Sequence, residues 1–150
     1  MNRREAALAA IGARLELICP PDAILRREDG QHVEIPETGA LIEWKDGAIE
    51  SEPMLSPLSY DCTLTVEVGI AAYSSELRDA AAAALALGLV LAREADQQLG
   101  GAIDGFAIGD PVYAVVAETV SEDGQQVILA PHHAASFPIL LFFNAPSPLG

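Results

Sequence analysis

Basic residues are scarce in this 150-residue chain: eight lysines and arginines stand against 22 aspartates and glutamates, for a net charge of −14. So acidic a surface repels phosphate backbones. It argues against sequence-independent binding of nucleic acid and suits a surface that DNA passes without being gripped. Cysteine is nearly absent. Cys19 and Cys62 are the whole complement, without CxxC spacing, and they read as small buried apolar residues, not as a disulfide framework. Long apolar runs are missing too: the alanine-rich stretch from Ala80 to Ala92 is too short to span a bilayer and is flanked by charge. The opening Met1-Asn2-Arg3-Arg4-Glu5 is basic, but the segment after it is amphipathic, carries Arg14 and Glu16, and lacks the continuous apolar core of a signal peptide. The expectation is a chain that is cytoplasmic where it is made and has no membrane partner.

A catalytic constellation is the next absence. There is no GxSxG elbow and no helical HxxxH pair. His132-His133 follow Pro131 in an expected loop and His32 stands alone in another; adjacent histidines rarely point at one metal, so all three are expected to be solvent-exposed. With 22 carboxylates available, no chosen pair is informative about acid–base chemistry. The one glycine cluster, in Asp96-Gln97-Gln98-Leu99-Gly100-Gly101-Ala102-Ile103-Asp104-Gly105, raises the question of a phosphate loop. Such a loop places its glycines between a strand and a helix N-terminus, where free N–H groups face the anion. Here the order is reversed. Gly100 is expected as a left-handed helix cap and Gly101 as the release into a strand. No catalytic residue, cofactor or metal is expected. The alternative from another class is a small cytoplasmic hydrolase or transferase using His132 or His133 with a carboxylate.

What is present is 51% apolar content, enough for one core, so residues 1–150 are read as one domain. Leu8, Ile11, Leu15 and Ile18 recur at helical spacing, giving an amphipathic helix from about Arg3 to Ile18 that Pro20-Pro21 stops. Ala23 to Arg27 suggests a short strand, and Glu28 to Thr38 a loop. Ala40 to Trp44 and Ala48 to Glu50, around Lys45-Asp46-Gly47, suggest a tight hairpin, because Asp-Gly suits positive φ. Trp44 near that tip is either a core-facing aromatic or an exposed protein contact.

The clearest pattern runs from Leu58 to Ile70, where apolar and polar residues alternate without a break. That is a strand with one buried and one wet face, as in antiparallel sheets. At about 3.3 Å per residue it spans roughly 43 Å, more than the ~38 Å width of a compact chain this size; it must bend or project. Ser74 or Ser75 caps a helix reaching about Asp96, whose stripe Leu77, Ala81, Ala84, Gly88, Leu91 and Ala95 is small enough for close approach to a sheet. Further strands are expected at Ala102–Ile108, Pro111–Val120, Gln126–Ala130 and Ser136–Asn144, with a turn at Asp123-Gly124. Pro138 would sit near an edge or at a strand start. Residues 145–150 form an extended, loosely held, Pro-rich tail. Helix, strands, helix, strands predicts an α+β fold: a single mainly antiparallel sheet with two α-helices packed on one face.

This order of elements resembles the tail terminator (tail completion) proteins of long-tailed bacteriophages, prophages and gene transfer agents. The residues that carry the resemblance are the alternating Leu58–Ile70 strand, the helix from about Ser75, and Asp96-Gln97-Gln98-Leu99-Gly100-Gly101 at its end. The resemblance implies a virion tail component that forms a ring, usually a hexamer. Its partners would be the tail tube protein, whose polymerisation it stops, and the head–tail connector protein; DNA would cross the lumen only as passing cargo. A related possibility is another head-closure or tube component. Asp61, Thr63, Thr65 and Glu67 on the outer face of the long strand, the Trp44 hairpin, and the loop from Glu28 to Thr38 are the expected assembly surfaces.

Overall fold

A computed structural model of the chain describes residues 2–31, 33–55, 58–116, 119–122, 125–128 and 131–150, with the backbone alone for 119–122 and 125–128. His32 and the Asp123-Gly124 turn lie outside the described residues. The fold is α+β, built on a six-stranded, mostly antiparallel sheet and two helices.

Helix α1 runs from Arg3 to Ile18. The Asn2 side chain accepts the Glu5 N–H at 2.8 Å, a cap worth about 1 kcal/mol, and Pro20 prevents continuation. Leu8, Ile11 and Leu15 are buried as their spacing requires. Strand β1 (Ile24–Arg27) then pairs in parallel with β2 (Leu41–Leu55).

The tight hairpin at Asp46-Gly47 does not form. β2 continues through it and pairs antiparallel with β3 (Leu58–Ala72), from Leu41↔Ala71 to Leu55↔Leu58, with a bulge between Asp46 and Ile49. Gly47 is not among the positive-φ glycines. It serves the bulge differently: a Cβ there would lie 3.1 Å from the Thr65 carbonyl oxygen. An extra residue on one strand bends and twists that strand without reversing it.

The alternation in β3 holds. Cys62, Leu64, Val66, Val68, Ile70 and Ala72 are buried, and the odd-numbered residues face outward. Strand β8 (His132–Ala145) lies along the other side of β3, in register from Tyr60↔Ala145 to Ala72↔His133. It begins four residues earlier than the sequence suggests, so His132 and His133 are strand residues and not loop residues. Pro138 sits in the middle of this central strand, neither at an edge nor at a start. The far side of β8 explains it. β4 (Gly105–Ile108) covers Ile139 to Phe142 and β5 (Val112–Val116) covers His132 to Ser136. The Gly109 N–H donates to the Pro138 carbonyl at 2.8 Å, so the imino nitrogen of Pro138 also faces the joint between β4 and β5, where no ladder N–H is needed. A Cβ on Gly109 would come within 2.4 Å of the Pro138 ring. The single strand expected over Pro111–Val120 is instead β5 and the start of β6 (Thr119–Glu122); β6 forms a separate two-stranded sheet with β7 (Gln125–Ile128).

Helix α2 spans Ser75–Asp96, capped by Ser74, whose Oγ accepts the Leu77 N–H at 3.2 Å. Its buried residues are Ala81, Ala82, Leu85, Leu89 and Ala92, about a quarter-turn from the expected stripe at 100° per residue; Leu91 and Ala95 are exposed. The small residue of that stripe meets the other helix: a Cβ on Gly88 would lie 2.7 Å from Ile18 Cβ. Leu85 and Leu89 join α1's Ile11 and Leu15 and the inward residues of β3 and β8 in one core cluster. The C-terminal residues turn back instead of trailing away. Gly150 N–H bonds the Ser147 carbonyl at 3.1 Å, and Gly150 is buried against Arg4 and Phe143.

Candidate functional site

The outer face of the sheet gathers four of the sequence-predicted surface residues. Asp61, Thr63, Thr65 and Glu67 occupy alternate positions of β3; the acids are exposed and the threonines half-buried between neighbouring strands. Asp61 stands directly opposite Glu52 of β2, an unfavourable like-charge pair on an antiparallel ladder. Asn144 of β8 donates from Nδ2 to Asp61 Oδ1 at 2.9 Å and to Ser59 Oγ at 3.1 Å, which steadies one of the two carboxylates. Glu67 lies 3.7 Å from Lys45 Nζ, and Lys45 also reaches Glu28 at 3.8 Å.

Between these charges and strand β5 lies an open groove of about 630 Å³. Its floor is Gly69, Ala71, Ala134 and Ser136, its acidic rim is Glu28, Glu43 and Glu67, and its far wall is Val112 and Ala114. The small floor residues make the depression: Gly69 pairs with Ser136 and Ala71 with Ala134, so two adjacent strands are low at the same level. Sequence reasoning missed the groove because the signal exists only once the β3–β8 register is known.

The end of the β2–β3 ribbon was missed as well. The last pair that β3 shares with β8 is Tyr60↔Ala145; beyond it, Met54, Leu55, Leu58 and Ser59 pair only across the ribbon. Leu55 is 83% exposed and Leu58 62%. The apolar Met54-Leu55 and Leu58 flanking Ser56-Pro57 were the available signal.

Trp44 resolves to its core-facing reading. It is 8% exposed, pairs with Val68 in mid-strand, and is covered by Gly12 of α1, where a Cβ would come within 2.8 Å of the indole. Arg27 lies over the ring, 5.0 Å from its centroid. Trp44 therefore leaves the set of contact residues, and the turn that was to present it does not exist. The loop from Glu28 to Thr38 is mostly exposed where described. Arg26 pairs with Asp29 and lies 3.8 Å from Glu43, and Arg4 and Arg27 converge on Asp46 at 2.5 and 3.2 Å.

His132 and His133, consecutive in β8, point to opposite faces of the sheet and do not converge on one site. Among the described residues, no group of three or more His, Cys, Asp and Glu is placed to hold a metal. Both cysteines are free thiols, Cys62 buried and Cys19 half-buried. Burial, with Asp61 beside Cys62 and Asp22 near Cys19, pushes both thiols up from their ordinary range, away from the nucleophilic thiolate.

The glycine loop does cradle an anion, but it is the chain's own. Gly100 N–H donates to Asp96 Oδ2 at 2.7 Å and Gln98 N–H to Asp96 Oδ1 at 3.2 Å. Gln97 caps α2, and three successive residues then take positive φ: Leu99 (47°), Gly100 (71°) and Gly101 (91°). The left-handed turn thus starts at Leu99, one residue before the expected glycine. Leu99 itself is buried in the core cluster.

No helix among the described residues is long and apolar enough to cross a membrane. In comparisons with known proteins, no family model matches the chain and no curated protein matches it.

Proposed function

We propose that this chain is a non-enzymatic structural protein that assembles into a ring, hexameric in the family it resembles, at the head-proximal end of a phage-like tail. Its action is steric and electrostatic. The ring covers the polymerisation surface of the last tube ring and presents a different surface to the head–tail connector, while DNA crosses the lumen as cargo.

The observation that carries this reading is the β2–β3 ribbon. Both strands are 15 residues long, and the ribbon outruns its β8 neighbour to end in exposed Met54, Leu55 and Leu58. A monomer gains nothing by holding three large apolar side chains in water; a subunit that inserts them into a neighbour gains their burial. The outer face adds a second support. Glu52, Asp61 and Glu67 are exposed there, and with a net charge of −14 a wall of this sign lets a polyanion slide past.

The test is mass measurement of the purified protein, alone and mixed with tail-tube protein. Discrete ring masses, and tubes that stop growing when the protein is added, are expected. A strict monomer that neither forms rings nor caps tube ends refutes the proposal.

A further inference from the structure

The sheet has two edges, and the backbone geometry of one complements the other. Among the described residues, β5 pairs only with β8 and β1 only with β2. In β8 the carbonyl of Pro138 faces the β4–β5 side. By the two-residue repeat of a strand, Ser136, Ala134 and His132 also turn their backbone groups that way. Their partners Val112, Ala114 and Val116 answer them, which leaves the N–H and C=O groups of Tyr113 and Val115 pointing away from the sheet. The N–H groups of Ile24, which opens β1, and Glu28, just past its end, donate to the carbonyls of Ala40, just before β2, and Trp44 in β2. The same repeat leaves Leu25 and Arg27 with outward backbone groups.

We propose that β5 of one copy pairs with β1 of a second copy of this chain, antiparallel, with Tyr113 opposite Arg27 and Val115 opposite Leu25 of the neighbour. This rests on the ring reading above and names the surface on which the copies meet.

Four observations carry it. First, the strand sense fits. β2 is antiparallel to β3, β3 to β8 and β8 to β5, while β1 is parallel to β2; β5 therefore meets the β1 of a copy in the same orientation antiparallel, the more stable pairing. Second, the faces fit. Tyr113 and Val115 stand beside Ala135 and His133, on the buried-core side of β8; Leu25 and Arg27 stand beside Ile42 and Trp44, also on the core side. Joined sheets keep their helices on one side, and the contact is head to tail, the type that closes into rings. Third, β5 presents an apolar edge. Val112-Tyr113-Ala114-Val115-Val116 contains no charge and no proline, and Val112 and Val115 are 67% and 64% exposed. Fourth, the charges fit. In a chain of net charge −14, β1 holds two arginines and no acid, and β5 is uncharged, so this contact brings no carboxylates together. Within their own chain Arg26 pairs with Asp29 and Arg27 with Asp46, so both guanidinium charges are already answered.

The experiment introduces Tyr113→Cys and Arg27→Cys together. Both positions are about half exposed, and directly opposed residues of a hydrogen-bonded antiparallel pair have Cα atoms about 5.5 Å apart, within disulfide reach. Mild oxidation is expected to give a ladder of covalent multimers from the double variant and none from either single variant. In parallel, Val115→Pro deletes an outward N–H without touching a β8 bond, and it is expected to weaken self-association about tenfold or more with the circular-dichroism spectrum unchanged. If the wild type forms rings but the double variant gives no ladder, or Val115→Pro assembles as the wild type does, the β5–β1 pairing is overturned and the ring reading stands. A wild type that stays monomeric at every concentration overturns both.

Discussion

Replacing Leu55 and Leu58 together with serine separates a fold role for the ribbon tip from a contact role. Full burial of a leucine side chain is worth about 1.5–3 kcal/mol. Leu55 is 83% exposed and Leu58 62%, so most of that stabilisation is absent in the isolated chain and available only on docking. Scaled by those exposures, burying both at an interface contributes about 2–4 kcal/mol per ribbon, and the serine variant should lose about thirty- to a thousandfold in affinity for whatever receives the tip. The free chain should hardly notice. The two leucines pair only with each other at the ribbon end, outside the core cluster, so its unfolding free energy should move by no more than about 0.5 kcal/mol. Urea denaturation of the isolated protein reads the first quantity. Titrated capping of tube ends, followed with ring formation by single-particle mass measurement, reads the second. Unchanged assembly and capping, within about threefold, would refute the argument that the tip is a contact. A loss of several kcal/mol from the free chain would show instead that the tip belongs to the fold.

Two other perturbations test the packing beneath the surface. Gly12→Ala should gain up to about 1 kcal/mol of helix propensity yet lower the urea midpoint, because its Cβ would come 2.8 Å from the Trp44 ring and overpacking costs about 1–3 kcal/mol; in a Trp44→Phe background, which removes those ring atoms, the same change should become stabilising. Partial burial raises the Asp46 carboxyl, but the bond from Arg27, its own backbone amide and the charges of Arg4 and Arg27 outweigh this and hold it below the usual carboxylate range. A depressed carboxyl adds stability above its unfolded pKa, about 3.9, and that contribution fades as pH falls through the lower folded value. Asp46→Asn should therefore cost about 1–2 kcal/mol at pH 7, and the gap between variant and wild type in denaturant midpoint should close below about pH 4; a gap independent of pH would refute the ion-pair account.

Elements with a strong local signal were legible. The bounds of α1 and α2 follow from Pro20, Ser74 and apolar spacing, and β3 from thirteen alternating residues. What failed was decided by neighbours. Asp46-Gly47 has the composition of a tight turn, but a bulge needs a small residue too, and only the partner strand selects between them. Pro138 looked like an edge marker because the break between β4 and β5 that accommodates it, at Gly109, lies 29 residues upstream. The α2 stripe was assigned a quarter-turn off because its small residues suit close approach to any surface, and the nearer surface is α1 at Ile18. Of the candidate site, the outer-face residues of β3 were legible from parity alone; the ribbon tip and the open edge depend on where β8 ends and which strands lack a second partner.

The departures from what an isolated domain favours all lie in the sheet. Leu55 and Leu58 in water, Glu52 facing Asp61 across a ladder, and an uncharged apolar edge strand in β5 each work against the monomer, and sequences retain such conflicts chiefly where function requires them. In an enzyme the conflicts gather in a concavity, around titrating groups shifted by burial and by one another. Here one sits at the ribbon end, one on the outer face of β2 and β3 close to it, and one along an edge. Among the described residues, the carboxyl groups with a resolved shift, Asp29 and Asp46, are both lowered by the amides and arginines they bond, as structural ion pairs are. In the proposed assembly, neighbouring copies would bury the leucines, set a cation or amide against the facing carboxylates, and complete the edge. On the proposed ring reading, these unfavourable features are the ones that assembly would remove.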